Sequence, residues 1–461
     1  MDFASRHPAS FRDPSGFLFT EEGQLLRQVN LVYREDFDQL IESGLYNTLV
    51  GDGLLIPHED VTHERDVEPP GYKILRPERI PFISYPYEWC FQQLKDAALV
   101  TLQIQMKSLE HGMSLKDCSA YNVQFQGYKP IFIDTLSFEQ YREGEPWTAY
   151  RQFCQHFLGP LALMAYEDVR LSKLLRIYVD GLPLDLTSRL LPGRTRLNFS
   201  LLSHLHLHAT AQARFSDRQD GEEEGRDRKV SRTGLLALID NLIRAVQKLE
   251  WKYSSTPWEE YYSFHGYDAE SLDDKVRIVG EFLGRINPNS VWDLGGNVGM
   301  FSRIGSDLGA YTVSMDMDYG AVEQNHKQAT SKDERNLLPL VIDLTNPSPG
   351  IGWSNDERSS LIHRGPADTI LALALMHHLA IGNNVPFAEM ASFLQKIGEW
   401  LIIEFVPKDD PQVKRLLSGR VDIFVDYDNS AFLESFQRYF IVEGMENIQA
   451  SGRILYLMKR H

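Results

Sequence analysis

The C-terminal half of the 461-residue chain alternates short apolar runs with helix-like segments, and this alternation narrows its possible folds most. "SVWDL", "YTVSMD", "LLPLVID", "DTILALAL" and "WLIIEFV" follow one another beyond Tyr253. Each is short, apolar on both faces and separated from the next by a stretch with helical character. Strands without a polar face need cover on two sides, so the pattern predicts a parallel sheet with helices on both faces. Two last runs, "YFIVEGM" and "RILYLMK", are joined by a short link containing Ser451 and Gly452. They predict an antiparallel pair closing the sheet. Seven strands ending in a hairpin differ from the six-stranded dinucleotide-binding plan.

The first of these strands runs into "WDLGGNVGMFS", residues 292–302. Glycines in a strand-to-helix turn let the backbone approach a ligand closely, and the helix start offers free N–H groups. A dinucleotide site would read G-x-G-x-x-G facing a pyrophosphate. Here the spacing is Asp293-x-Gly295-x-Asn297-x-Gly299. A carboxylate at the strand mouth suits an ammonium and repels a diphosphate. The next strand ends at Asp316, where an acidic side chain can accept from both ribose hydroxyls. The third ends at Asp343, placed to accept from an adenine amine. Amino acid, ribose and adenine together, with no phosphate ligand, specify S-adenosylmethionine. Gly295, Gly296, Asn297, Gly299 and Phe301, with Leu344 after Asp343, complete the expected cofactor-binding set.

At these residues the segment resembles class I S-adenosylmethionine-dependent methyltransferases. "LLPLVIDLTNPSPGIGW", "LALALMHHLAI", "LIIEFVPKDDPQVKRLL" and "DIFVDY" are similar to bacterial host-specific nodulation-protein-like methyltransferases. The resemblance extends to "YPYEWCFQQLKDAAL" and "YRQFCQHFLGPLALMAY", and so to nearly the whole chain. It implies a Rossmann-like, seven-stranded α/β domain and the cofactor, while leaving the acceptor open.

Methyl transfer is an in-line displacement, so the protein must align the acceptor and remove its proton if it is a hydroxyl. The acceptor side is expected at the ends of the fourth and fifth strands. His377 and His378 in "ALMHHLA", and Glu404 in "LIIEFVP", are the candidate catalytic residues there. No N-P-P-Y or D-P-P-Y motif follows the fourth strand, which weighs against amino methylation of adenine or glutamine. Cysteine ends at Cys154, which excludes a cysteine nucleophile in this domain. "TPWEEYYSFHGY" (256–267) and "TNPSPGIGWSNDE" (345–357) are candidate covering segments.

The N-terminal block carries a second motif, "SLKDCSAYNVQFQGYKPIFIDTLSFE". Asp117, Asn122 and Asp134 resemble the catalytic segment of kinase-like phosphotransferases. In those enzymes the first Asp orients the acceptor hydroxyl, and the Asn and second Asp hold Mg²⁺ of Mg-ATP. "FISYPYEW" reads as a strand entering a hinge, and "LVTLQIQMKSLEHG" as the helix before the loop. The motif departs from the pattern at Leu115-Lys116 and Thr135-Leu136, and no glycine-rich loop precedes it. Arg27 or Lys73 would have to replace the nucleotide-binding lysine. "HLHLH" places His204 and His208 on one helix face without Cys, Asp or Glu nearby, so no metal site is expected.

These features divide the chain into an α+β, kinase-like domain (1–214), a charged linker (215–234), a helical lead-in and lid (235–270) and the methyltransferase domain (271–461). A formal charge of −17 without a Lys/Arg-dense run argues for a small-molecule, glycan or metabolite acceptor over nucleic acid. RNA methylation and a bifunctional or kinase-like protein are the alternatives. Three widely spaced cysteines and an N-terminus without an apolar core predict a cytoplasmic protein with no membrane segment. The oligomeric state is left open.

Overall fold

The computed structural model describes residues 5–65, 67, 69–208, 230–252, 269–419 and 421–461. The described residues form two compact units. Unit 1 draws on Met1–Phe125, Pro130–Lys252 and Ile351–Arg358; unit 2 draws on Gln126–Lys129, Tyr253–Gly350 and Ser359–His461.

Unit 1 begins with an antiparallel five-stranded sheet of β1 (Ser5–Arg6), β2 (Gly16–Glu21), β3 (Gln24–Asn30), β4 (His58–Asp60) and β5 (Gly71–Pro77), in the order β1-β2-β3-β5-β4. Val29 and Leu75 pack with Tyr33, Phe37 and Leu136, while Phe19, Leu26 and Ile74 form a second buried cluster with Val61, so neighbouring residues of β5 are buried on opposite faces of the sheet. Helices α1 (Arg34–Glu42) and α2 (Leu45–Gly51) interrupt the sheet sequence between β3 and β4. The long helix α3 (Phe91–Glu110) is the one expected before the Asp117 loop. Three short pieces follow: β6 (Met113–Leu115) pairs with β9 (Phe138–Gln140), and β7 (Val123–Gln126) with β8 (Lys129–Phe132). "FISYPYEW" is not a strand. Pro86 lacks a donor for a ladder, and Glu88 Oε2 accepts from the Tyr85 N–H at 2.9 Å, closing a short 3-10 turn instead.

Helix α4 (Arg232–Lys248) starts within the segment expected to be linker, because Ser231 caps it by accepting from the Gly234 N–H. It belongs to unit 1, where Lys95 donates to the carbonyls of Gln247 and Leu249 near its end. Most of the expected linker and the candidate cover 256–267 lie outside the described residues. The other candidate cover divides: Ile351–Arg358 belongs to unit 1.

Unit 2 opens with α5 (Ala269–Ile286) and continues β10 (Ser290–Leu294), α6 (Met300–Asp307), β11 (Tyr311–Asp316), α7 (Tyr319–Lys332), β12 (Leu337–Val341), β13 (Ala367–Ala372), α8 (Phe387–Ile397) and β14 (Gly398–Phe405). α9 (Pro411–Leu417), α10 (Asn429–Phe436), β15 (Phe440–Asn447) and β16 (Ile454–Arg460) complete it. Strand order is β12-β11-β10-β13-β14-β16-β15, parallel up to β14 and antiparallel for β16 and β15. This is the seven-stranded class I methyltransferase sheet with its terminal hairpin. Val291, Leu371, Ile402 and Leu457 from four strands meet Ile278, Val279, Phe282 and Leu283 of α5 in one core cluster. The order reverses beside β10, so the C-terminal ends of β10 and β13 diverge and open a crevice.

Candidate functional site

The crevice is a cavity of about 290 Å³ lined by residues that follow β10, β11, β12 and β13. After β10 the chain turns sharply: the N–H groups of Gly295 and Gly296 both reach the Met315 carbonyl, at 2.8 and 3.0 Å. Gly295 has φ +77°, a left-handed conformation that a side chain resists. A Cβ on Gly296 would overlap Ser314 Oγ and stand 3.1 Å from Asp293 Oδ2. Asn297 also takes a positive φ, 50°, and its N–H donates to Asp316 Oδ2 at 2.8 Å. The turn therefore presents bare backbone to the cavity while tying the ends of β10 and β11 together.

Asp293 is 2% exposed, with Ser302 Oγ 2.6 Å from its Oδ2. Burial pushes its carboxyl up to about 6, against the neighbouring Lys275 charge that works to lower it. Burial also raises Asp316 to about 6, although the N–H groups of Asp318 and Asn297 hydrogen-bond its two oxygens. Each oxygen keeps a further acceptor site for a ligand hydroxyl. Asp343 lines the wall beyond β12, where its Oδ1 accepts from the N–H and hydroxyl of Thr345.

Asp293, Gly295, Gly296, Asn297, Phe301, Asp316, Asp343, Leu344 and His378 all line this one cavity. Three expected residues do not. Gly299 starts α6 at φ +82°, and a Cβ there would strike the Asn325 amide and the Arg303 guanidinium, so its smallness serves packing. His377 is fully buried, and neither ring nitrogen has a hydrogen-bond partner among the described residues. Burial first, then His378 beside it, holds its imidazole well below 6.5.

Glu404 is the third. It is wholly buried and bonded on every side: Lys275 Nζ lies 2.6 Å and Arg453 NH1 3.2 Å from its oxygens. The Ala374 N–H donates to its Oε2 at 2.8 Å. Arg453 in turn pairs with Asp410 at 2.8 Å. Glu404 thus holds the loop after β13, where Ala374 takes φ +50° and leads to His378. Lys275 lines the cavity and was not anticipated. It occupies the apolar stripe of α5 with Leu272, Val279 and Phe282, a mismatch visible in the sequence.

In unit 1, Asn122 is near enough to Asp117 to work against the rise of its carboxyl, while the Asn122 amide donates to Ser137 Oγ at 3.2 Å and Asp117 Oδ1 accepts from the Ser119 N–H. Burial raises Asp117, and nearby Asp134 adds to that. Burial works to raise Asp134 too, but the Arg27 guanidinium bonded to it outweighs this and holds it below the ordinary range. Lys73 instead pairs with Asp60 at 2.8 Å. His204 bonds Tyr150 and Asn241, and His206 bonds Ser188 and Thr195, so both serve side-chain hydrogen bonding. Among the described residues no group of three His, Cys, Asp or Glu could hold a metal ion, and no helix is long and apolar enough to cross a membrane.

No family model matches the chain. Nodulation protein NoeA of Rhizobium meliloti (strain 1021) is 35% identical over 460 residues, covering 99% of this chain and 96% of NoeA. Among solved structures, the bifunctional kinase-methyltransferase WbdD is 17% identical with a TM-score of 0.31. That match covers 44% of this chain and 42% of WbdD, under half of its length. A SAM-dependent methyltransferase from Aquifex aeolicus is 14% identical over 44% of this chain and 100% of its own, with a TM-score of 0.32. The N-methyltransferase NodS from Bradyrhizobium japonicum WM9 is 9% identical over 42% of this chain and 98% of its own, also with a TM-score of 0.32. The chain belongs to the family of nodulation protein NoeA, and the strand order of its C-terminal unit is that of the class I S-adenosylmethionine-dependent methyltransferase fold.

Proposed function

We propose that unit 2 transfers a methyl group from S-adenosylmethionine to a hydroxyl or similar nucleophile of a small molecule or glycan. The observation that carries this is the set of carboxylates at three successive strand ends, Asp293, Asp316 and Asp343, around one cavity with bare glycine backbone between them. Such a lining accepts an ammonium, a ribose and an adenine amine, and repels phosphates.

The bound cofactor supplies an electrophilic methyl on a sulfonium. Asp293 would accept from the cofactor's ammonium, Asp316 from its ribose hydroxyls and Asp343 from its adenine amine. Gly295, Gly296 and Asn297 give the backbone clearance, and Phe301 and Leu344 supply apolar walls. His378 is the base: half-buried at the cavity wall, it accepts the acceptor's proton on a ring nitrogen as the new bond forms. Glu404 is a positioning residue, acting through the Ala374 N–H on the loop that carries His378.

Titration calorimetry with S-adenosylmethionine and S-adenosylhomocysteine tests the cofactor half. Binding that is absent, or undisturbed by Asp316→Ala and Gly295→Val, sinks it. The acceptor is found by incubating the protein with cell extract and isotopically labelled cofactor, followed by mass spectrometry of the labelled product. The net charge of −17 sets a small acceptor ahead of RNA; RNA binding that weakens steeply with salt would reverse that order.

A phosphotransferase reading of unit 1 has the Asp117–Asn122 pair in its favour. Arg27 stands against it, because its guanidinium neutralises the Asp134 carboxylate that Mg²⁺ would need. A rise in melting temperature with Mg-ATP, abolished by Asp134→Ala, would support that reading.

A further inference from the structure

Among the described residues, five charged side chains line the cavity, and they are unevenly signed. Asp293, Asp316, Asp318 and Asp343 are carboxylates, and Lys275 is the one lysine or arginine among them. The amino-acid end of S-adenosylmethionine carries a carboxylate as well as an ammonium. In a cavity so acidic that carboxylate is repelled unless a cation meets it.

Lys275 is 1% exposed and stands in the apolar stripe of α5, an expensive place for an ammonium. Its Nζ is flanked by Glu404 at 2.6 Å and by the Phe301 ring, whose centroid lies 4.6 Å away. Phe301 also lines the cavity, whereas Glu404 does not. The ammonium therefore lies between the cavity and a carboxylate behind it. Glu404 has other partners: the Arg453 guanidinium and the Ala374 N–H remain bonded to it if Lys275 turns away. A pair whose only purpose was to hold the fold would not need a position in the cavity wall.

We propose that Lys275 binds the carboxylate of the cofactor's methionine moiety, opposite the Asp293 that takes its ammonium, with Glu404 as the counter-ion that holds Lys275 in the empty cavity. The proposal rests on the cofactor reading above and deepens it: it makes the cavity selective for the complete amino acid over analogues that lack the carboxylate. Arg453, shared with Asp410, and the Ala374 N–H stay bonded to Glu404 when Lys275 turns to the ligand, so its carboxylate keeps hydrogen-bond partners through the exchange.

The test pairs two ligands with two proteins. S-adenosylhomocysteine and its decarboxylated analogue, S-adenosyl-3-thiopropylamine, differ only in the carboxylate, and both are titrated by calorimetry into the full chain. Wild type is expected to favour S-adenosylhomocysteine by about 10- to 100-fold, the range of one charge-assisted hydrogen bond. Lys275→Met should remove that preference, weakening S-adenosylhomocysteine and leaving the amine analogue nearly unchanged. Lys275→Arg should restore part of it. If Lys275→Met does not fold, the double variant Lys275→Met/Glu404→Gln removes both charges together and is measured instead. Equal affinity of wild type for both ligands overturns the proposal without any variant. Loss of both ligands by the same factor in the variant shows a structural role and overturns it too. Wild type binding neither ligand overturns the cofactor reading itself, which is a separable result.

Discussion

Replacing Asp293 by Asn is expected to stabilise the ligand-free protein while weakening its cofactor. The carboxyl is buried, and its environment holds it at about 6 where 3.8 is ordinary. The folded state therefore binds this proton more tightly than the unfolded state does. Its contribution to stability is full below about pH 4 and is lost as pH rises through 6. The difference amounts to about 3 kcal/mol at pH 8. Asparagine keeps the shape and the Ser302 hydrogen bond without a charge to bury. In a unit of this size about 3 kcal/mol corresponds to about 6–12 °C in melting temperature. Melting curves of the two proteins should converge near pH 4 and separate above pH 6, with the variant higher. The same variant should bind S-adenosylhomocysteine about 10- to 100-fold more weakly at pH 8, having lost a charged acceptor for the ammonium. A variant that melts below wild type at pH 8, or that binds as tightly, refutes this account of Asp293. The trade of stability for binding is the usual one at a preorganised site.

Other perturbations separate the remaining roles. Glu404→Ala leaves Lys275 and Arg453 facing each other in the interior and should cost about 3–5 kcal/mol in denaturant unfolding; unchanged stability with lost activity would return Glu404 to the catalytic candidates. His377→Leu removes two buried ring nitrogens that lack partners among the described residues and should raise stability by about 1–3 kcal/mol with turnover retained. Because the His377 imidazole is held well below 6.5, the wild-type contribution present above that pH is lost as pH falls, and the variant should resist mild acid better. Inactive but folded His377→Leu would instead mark it as the base. Gly296→Ala should cost about 1–3 kcal/mol and weaken cofactor binding, since its Cβ meets Ser314 Oγ in a packed turn; a neutral effect on both would contradict the geometry.

Much of unit 2 was legible before any coordinate. The apolar runs became β10 to β16 in the expected order, because a strand buried on both faces needs only a few consecutive apolar residues to announce itself. The Asp293–Asn297 turn was legible for a related reason: left-handed φ values at Gly295 and Asn297 are local preferences of those residue types. "FISYPYEW" misled because apolar content was weighed above Pro86 and the Tyr85–Glu88 capping box. Lys275 left a trace in the sequence, a lysine at helical spacing among Leu272, Val279 and Phe282, but such residues more often reach solvent by their long stems.

By itself the sequence determined which segments are strands, where the chain turns on glycine, and which carboxylates end successive strands. These follow from backbone and side-chain preferences that act over a few residues. Only the tertiary structure decided which charges are available to a ligand. Glu404 sits at a strand end like a catalytic acid, yet Lys275 and Arg453 neutralise it from distant segments. Asp134 has the spacing of a metal ligand, yet Arg27, 107 residues away in sequence, occupies its carboxylate. His377 and His378 are neighbours of identical chemistry, and the turn after β13 buries one and leaves the other at the cavity. Coulomb interaction and desolvation depend on distance and dielectric between groups far apart in the chain, and folding sets both.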